Sequence, residues 1–329
     1  MKVIVPLAGK GTRLLPLTKR VPKPLIRVAG RPVMDYVMDT LSGLDMDELI
    51  VITGHLKEEI ERYIRTRYRI PARFVEQKRL DGTAGAIDLA RPYVDGPVLI
   101  VFVDTLFDAD LGIVRTLDAD GIIWAKEVED YQRFGVIVTD AKGYMTRIVE
   151  KPTTPVSRLA NIGLHYARDW RTLFDGIAHV MRQQPGPGGE FYLTDAFQYM
   201  VERGKKIFTA SVAGWYDCGK VETLLETNRH LLETGRARPP SGPCPRCTIH
   251  PPVYVEEGVT IHDAVIGPNV SIEAGSYVTE STIANSIVGR NARVVRATVE
   301  ESLVGDDQVI EGREVRRGIA AGGEIAAAP

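Results

Sequence analysis

The sequence predicts an α/β domain on an open, mostly parallel sheet, followed by a short parallel β-helix. Three observations carry that expectation. Through the first two-thirds of the chain, short apolar runs alternate with stretches of helical spacing, the rhythm of βαβ units. From Arg236 to Pro252 a segment rich in Pro, Arg and Gly breaks the pattern. Beyond it apolar residues recur about every six positions, a period that fits neither a helix nor an ordinary strand but the coils of a hexapeptide-repeat β-helix.

The elements follow in order. Val3, Ile4, Val5 and Leu7 form a short buried strand. Gly9 and Gly11 follow in a loop where the missing Cβ lets backbone approach a ligand. Between Gly9 and Met34 stand seven cations, Lys10, Arg13, Lys19, Arg20, Lys23, Arg27 and Arg31, with no acid among them. In a chain of net charge −2 this is a local concentration of positive charge, and beside glycine backbone it suits a polyphosphate. Neither common phosphate loop fits: G-x-x-x-x-G-K-[ST] is absent, and Leu14 stands where G-x-G-x-x-G needs its third glycine. Val33, Tyr36, Val37, Leu41 and Leu44 are helically spaced, Leu49–Ile52 is a buried strand, and Leu56, Ile60, Tyr63 and Ile64 mark a second helix. Arg73–Val75 and Val98–Val103 are strands, the latter apolar enough to be covered on both faces. Gly121–Ala125 is another. In such a sheet a ligand lies outside the carboxyl ends of the strands.

Trp170, Leu173, Phe174, Ile177, Val180 and Met181 make a core-facing helix, Thr194-Asp195 reads as a helix start, and Val221, Leu224, Leu225, Leu231 and Leu232 close the domain. In the C-terminal repeats Ile266, Ile272 and Val278 are six apart, and Ile283, Val288, Val294, Val299, Val304 and Ile310 continue at five or six. These predict about three or four coils. The expected boundaries are 1–235 for the α/β domain, 236–252 for the linker, 253–312 for the β-helix and 313–329 for a frayed tail.

Composition narrows the function. A hydrophobic share of 44% and a charged share of 26% are those of an ordinary soluble globular protein. Without a basic tail, nucleic acid is not an expected partner. The first apolar run is too short for a signal-peptide core, and no stretch approaches the length of a membrane span, so a cytoplasmic protein with no membrane association is expected. Three cysteines cannot form a disulfide framework. Cys244-Pro-Arg-Cys247, with His250 and His262 nearby, has the ligand types and part of the spacing of a zinc site. The plainer reading is a proline-stiffened linker holding two thiols.

Three further stretches carry chemistry. Glu76–Ala86 follows a strand; its Gln77 can address a base edge, though taken alone a surface turn entering a small-residue helix is the better reading. Asp104 ends the Val98–Val103 strand as a helix cap or a metal ligand. Glu150-Lys151 alone is an ordinary solvated pair.

G-x-G-T-R (Gly9–Arg13) followed by Pro22-Lys23-Pro24, directly after an N-terminal strand, resembles the signature of the sugar-1-phosphate nucleotidylyltransferases. That family includes glucose-1-phosphate thymidylyltransferases, UTP–glucose-1-phosphate uridylyltransferases and mannose-1-phosphate guanylyltransferases. The likeness continues in family order through Gln77 with Gly82-Thr83-Ala84-Gly85, Phe134-Gly135-Val136, Glu150-Lys151-Pro152, Asn161-Ile162-Gly163, Leu193-Thr194-Asp195-Ala196 and Trp215-Tyr216-Asp217-Cys218-Gly219. It implies a Rossmann-like, GT-A-like nucleotide-diphospho-sugar transferase domain with a left-handed β-helix behind it. The implied reaction joins a nucleoside triphosphate to a sugar-1-phosphate, giving an NDP-sugar and pyrophosphate.

The resemblance also implies roles. Leu7, Ala8, Gly9, Gly11, Thr12, Arg13, Gln77, Gly82 and Thr83 bind the nucleotide. Lys23, Gly135, Glu150, Lys151 and Asn161 receive the sugar phosphate. Arg13 and Lys23 act on the triphosphate in catalysis, and Asp104 and Asp217 hold Mg²⁺. Val103 departs from the glycine that usually precedes the first aspartate. Gln77 favours UTP or dTTP over GTP, and the sugar stays open between glucose-1-phosphate and related hexose-1-phosphates. Alternatives are a bifunctional enzyme with acyltransferase activity on the β-helix, for which His262 is the one histidine within the repeats; a non-catalytic regulatory subunit; and an enzyme for a non-sugar phosphate. The flat sides of a β-helix imply a homo-oligomer.

Overall fold

The computed structural model describes residues 1–328 and divides into two units. The first contains Met1–Gly9 and Val37–Trp215, the second Lys10–Tyr36 and the described residues from Tyr216 onward.

The first unit is built on a nine-stranded mixed sheet. Lys2–Pro6 lies between Glu48–Thr53 and Val98–Val101, parallel to both, and Ala72–Glu76 adds a further parallel strand. The long strand Leu159–Ala167 then runs antiparallel to Val98–Val101 and to Gly121–Glu127, which pairs in parallel with Ile207–Ser211. The hairpin of Gly135–Thr139 and Met145–Glu150 completes the sheet. Ile4, Ile50, Ile100 and Ile123 are fully buried in it and pack with Phe174 and Phe197 from the helices Trp170–Val180 and Leu193–Glu202. The expected helices over Val33–Leu41 and Lys57–Arg67 are present.

Three local expectations change. The strand starting at Val98 ends at Val101, because the chain turns there into a further strand, Thr105–Asp108. Asp104 therefore precedes a strand and caps no helix. The helix expected to open on Thr194-Asp195 starts at Leu193 without a side-chain cap.

In the second unit three parallel sheets run the length of the C-terminal region and fit a left-handed β-helix. Ile266, Val270, Ile272, Val278, Ile283, Val288, Val294 and Val299 fill its interior. Equivalent residues of successive coils lie 17 apart in the first turns and 16 thereafter, as Ser276, Ser281 and Ser286 are from the residues whose N–H groups they accept. Three strict hexads would take about 18, so the steps of five in the sequence are shortened sides. Buried Ser276 and Ser281 donate to backbone carbonyls at 2.7 Å, which satisfies polar groups at the corners. Residues Asn269, Asn285, Glu301 and Arg317 adopt positive φ at matching corners.

Strands fall on both sides of the expected β-helix limits. Thr248–Ile249 already pairs in parallel with Val265–Ile266, inside the expected linker. Glu314–Arg316 and Gly318–Ala321 continue the coils, and Glu324–Ala327 folds back antiparallel, where a frayed tail was expected. Composition set those limits, while hydrogen-bond pairing extends them. Cys244 and Cys247 form a disulfide with Cα atoms 5.5 Å apart and pack on the β-helix core. No group of three or more His, Cys, Asp or Glu among the described residues is arranged to hold a metal. The zinc expectation and the two free thiols are both replaced by this bridge. No helix among the described residues is long and apolar enough to cross a membrane.

Candidate functional site

The basic stretch belongs to the second unit apart from its first residue, Gly9. Gly9, Lys10, Thr12 and Arg13 are exposed, while Leu7 and Ala8 are buried at the end of the first strand. Gly11 adopts φ +63°, and a Cβ there would stand 2.9 Å from Thr18 Cγ2 and 3.3 Å from Lys23 Cβ. Only glycine allows that approach. The Thr18 hydroxyl and the Leu14 N–H both donate to the Gly11 carbonyl at 2.9 Å. Lys23 opens a single 3₁₀ turn, Lys23–Leu25, between buried Pro22 and Pro24. The fixed φ of the two prolines holds that turn. Asp217 lies in the same unit; its Oδ1 accepts the Gly219 N–H at 2.7 Å, and its carbonyl accepts the Thr227 hydroxyl.

In the first unit the structure brings Gly135, Glu150 and Thr194 together. Glu150 ends its strand opposite Gly135, where a Cβ would be 2.8 Å from Glu150 Oε2. Thr194 donates to the same oxygen at 3.1 Å. Burial pushes the Glu150 carboxyl above the usual range, against the pull of Lys151 and the Thr194 hydrogen bond. Lys151 takes positive φ (+44°), a conformation uncommon outside glycine and found at functional sites. Its Nζ donates to the Tyr192 hydroxyl at 3.1 Å and lies 4.7 Å from the centre of that ring. Burial opposes its charge, but Tyr192 and Glu150 outweigh burial and raise its pKa.

Asn161 precedes an irregularity in its strand between Asn161 and His165, and its Oδ1 accepts the Gly163 N–H at 2.9 Å. Such a bulge turns a side chain out of the regular alternation. The Gly163 carbonyl accepts the Phe102 N–H, two residues before Asp104. Val103, in the place expected for glycine, is only 4% exposed.

Gln77 is 8% exposed. Its amide donates to Asp81 Oδ1 and to the Gly82 carbonyl at 3.2 and 3.3 Å. Gly82, at φ +109°, lies so close to Phe191 that a Cβ would be 2.3 Å from the Phe191 carbonyl oxygen. The Phe191 carbonyl accepts the Ala84 N–H, and the Thr83 hydroxyl accepts the Leu193 N–H. The small-residue turn is thus clamped to 191–193. Sequence reasoning gave no role to Asp81 or Tyr192. Tyr192 directly precedes the Leu193-Thr194-Asp195-Ala196 stretch, and that placement was the available signal.

A family model described as nucleotidyl transferase matches residues 2–234. The chain belongs to the nucleotidyl transferase family. Within it, the chain is 30% identical over 328 residues to "Bifunctional protein GlmU" of Methanococcus aeolicus, covering 93% of this chain and 78% of that protein. It is 32% identical over 242 residues to "UTP--glucose-1-phosphate uridylyltransferase AglF" of Haloferax volcanii, covering 71% and 97%. It is 29% identical over 336 residues to "Glucose-1-phosphate thymidylyltransferase" of Streptomyces griseus, covering 98% and 89%. A solved UDP-glucose pyrophosphorylase complexed with UDP-glucose shares the nucleotidyl transferase fold, with TM-score 0.64 and 24% identity over 71% of this chain and 98% of that one.

Proposed function

We propose that this nucleotidyl transferase joins UTP or dTTP to glucose-1-phosphate or a related hexose-1-phosphate and releases pyrophosphate. The observation that carries the reading is the cluster of Gly135, Glu150, Lys151, Tyr192 and Thr194. It offers a carboxylate for sugar hydroxyls and a cation, held by an aromatic hydroxyl, for the sugar phosphate. Named relatives that act on glucose-1-phosphate with a uridylyl or thymidylyl donor support the substrate class.

In this reading Leu7, Ala8, Gly9, Gly11 and Thr12 supply backbone to the triphosphate. Arg13 holds its outer phosphates, and Lys23 offsets charge developing on the α-phosphate. Gln77, Gly82 and Thr83 meet the base. Glu150, Lys151, Gly135 and Asn161 receive the sugar phosphate. The nucleophile is already an anionic phosphate oxygen, so the chain supplies orientation and charge compensation rather than a base. Asp104 and Asp217 are proposed as magnesium ligands. Their carboxylate oxygens suit a hard cation, and two protein ligands leave room for water and phosphate oxygens. When bound, such an ion orients phosphate oxygens and offsets their charge.

The test is pyrophosphate release over a grid of nucleoside triphosphates and sugar-1-phosphates. Turnover is expected with UTP or dTTP and glucose-1-phosphate; no turnover with any pair would refute the reading. A cytoplasmic location and self-association through the β-helix are part of the same proposal. Sedimentation of the purified chain tests the latter, and a monomer at high concentration would end it.

A further inference from the structure

The stretch with the phosphate-binding cations shares its unit with the β-helix, and Arg27 is deeply engaged there. Its Nη2 donates to the Gly30 carbonyl and reaches Glu256 Oε2 at 3.3 Å, and its Nε lies against Glu273 Oε2. Glu256 and Glu273 follow Val255 and Ile272, which are partners in adjacent coils. The two carboxylates are therefore stacked, and Glu256 Oε2 also accepts the Ala274 N–H at 3.0 Å. Glu273 is 1% exposed, a costly place for a carboxylate.

Other contacts tie the same stretch down. The Ala29 N–H donates to buried Asn228 Oδ1 at 2.8 Å, and Ser271 of the β-helix donates to that oxygen at 2.7 Å. The Tyr254 ring lies where a Cβ on Gly30 would be. Lys19 pairs with Glu324 at 2.8 Å. Between Leu17, Val21 and Leu25 on one side and Ile287 and Leu303 on the other is a cavity of about 50 Å³ with Arg27 and Glu273 in its wall. That is room for about one to a few waters.

We propose that Glu256 and Glu273 are positioning residues for the nucleotidyl transfer: through Arg27 they fix the Lys23–Leu25 turn, and so Lys23, for the triphosphate. This rests on the function proposed above. Among the described residues no other β-helix carboxylate lies within ion-pair distance of Arg27, and only Ile26 separates Arg27 from the turn that Lys23 opens.

The pair also makes the anchor depend on pH. Burial pushes Glu273 up to about 8, helped by Glu256 and opposed by Arg27. Burial also works against the charge of Glu256, but hydrogen bonds from Glu273 and Ala274, with Arg27 and Arg290, keep its carboxyl below the usual range. Near neutrality Glu273 holds a proton facing Glu256, and one carboxylate meets one guanidinium. The other charged or titratable groups around the cluster are Tyr36, Arg31, Arg236, Tyr254, Arg238 and, in the cavity wall, Asp306. Above about pH 8 two carboxylates face Arg27, and the anchor loosens.

The test uses the full chain as wild type, Glu273→Gln and Glu273→Ala. KM for the nucleoside triphosphate and kcat are measured from pH 6.5 to 9, and amide hydrogen exchange over residues 17–30 is followed without substrate. In wild type, KM rises several-fold between pH 7 and 9, kcat changes less, and exchange speeds up in step. Glu273→Gln, a neutral stand-in for the protonated acid, keeps the pH 7 values and flattens both profiles. Glu273→Ala raises KM about ten-fold at every pH. A Gln variant whose KM and exchange profiles follow wild type overturns the proposal, as does an Ala variant that folds with wild-type KM and exchange. Exchange needs no turnover: if no substrate pair reacts but exchange behaves as described, the substrate assignment fails and the anchor stands.

Discussion

His165 gives the sharpest stability prediction. It sits in the middle strand Leu159–Ala167, 1% exposed, stacked on Phe197 at 5.2 Å between ring centroids and edge-on to Phe102 at 6.2 Å. Neither ring nitrogen has a hydrogen-bond partner. Burial alone lowers its pKa from 6.5 to about 3. A base with a lowered folded-state pKa contributes stability that is fully present above 6.5 and is lost as the pH falls towards 3. Each pH unit inside that window removes up to about 1.4 kcal/mol, so the drop from pH 6.5 to 4.5 costs roughly 3 kcal/mol. The perturbation is His165→Phe, which keeps the ring stack and has nothing to protonate. At pH 7 the variant should match or exceed wild type, because two buried polar atoms without partners are removed, each worth about 1–3 kcal/mol. The assay is urea unfolding of both proteins at pH 7.0, 5.5 and 4.5, followed by a probe in the first unit. The difference between them should widen by roughly 3 kcal/mol towards acid. Parallel pH profiles would refute the reasoning, because they would mean His165 stays neutral or finds a partner in both states.

Other positions give simpler tests. Asn228→Ala strands the buried Ala29 N–H and the Ser271 hydroxyl and should destabilise the second unit by about 2–4 kcal/mol; calorimetry reads it. Gly82→Ala forces a Cβ to within 2.3 Å of the Phe191 carbonyl at a positive φ. It should lower the melting temperature by several degrees and raise KM for the nucleotide more than for the sugar phosphate in steady-state assays. Lys23→Ala or Asp104→Ala should cut kcat by about a hundred-fold or more with an unchanged circular dichroism spectrum, and near-wild-type turnover in either would count against the proposed roles.

Legibility in the sequence followed the range of the interactions. The strands of the first unit announce themselves as uninterrupted apolar runs because both faces are covered. The hexad repeat is visible because each coil buries one residue per side. Limits of elements were harder. Val103 extends the apolar run beyond Val101 without belonging to the strand, since apolarity reports burial and not hydrogen bonding. Glu314–Ala327 contains too few large apolar residues to show a repeat, yet backbone pairing carries the sheet onward. Thr194-Asp195 has the composition of a helix cap, but its hydroxyl serves Glu150, a residue 44 positions away in the chain. The disulfide is likewise a matter of a short turn's geometry, whereas cysteine count and spacing favoured two free thiols in a linker over a metal.

The basic stretch shows most plainly what one-dimensional reading leaves out. Its charge and its glycines are local and could be read directly. Its membership could not, because a boundary drawn at residue 235 follows composition, while units follow contacts, and those gather Lys10–Tyr36 with the β-helix. Arg27 explains the difference. In sequence it is one more cation in a run of seven, indistinguishable from Lys10 or Arg13. In the fold Lys10 and Arg13 are exposed, while Arg27 lies against Glu256 and Glu273 of the β-helix. A run of like charge therefore divides into cations that stand exposed and cations engaged by carboxylates, and only the three-dimensional contacts tell the two apart.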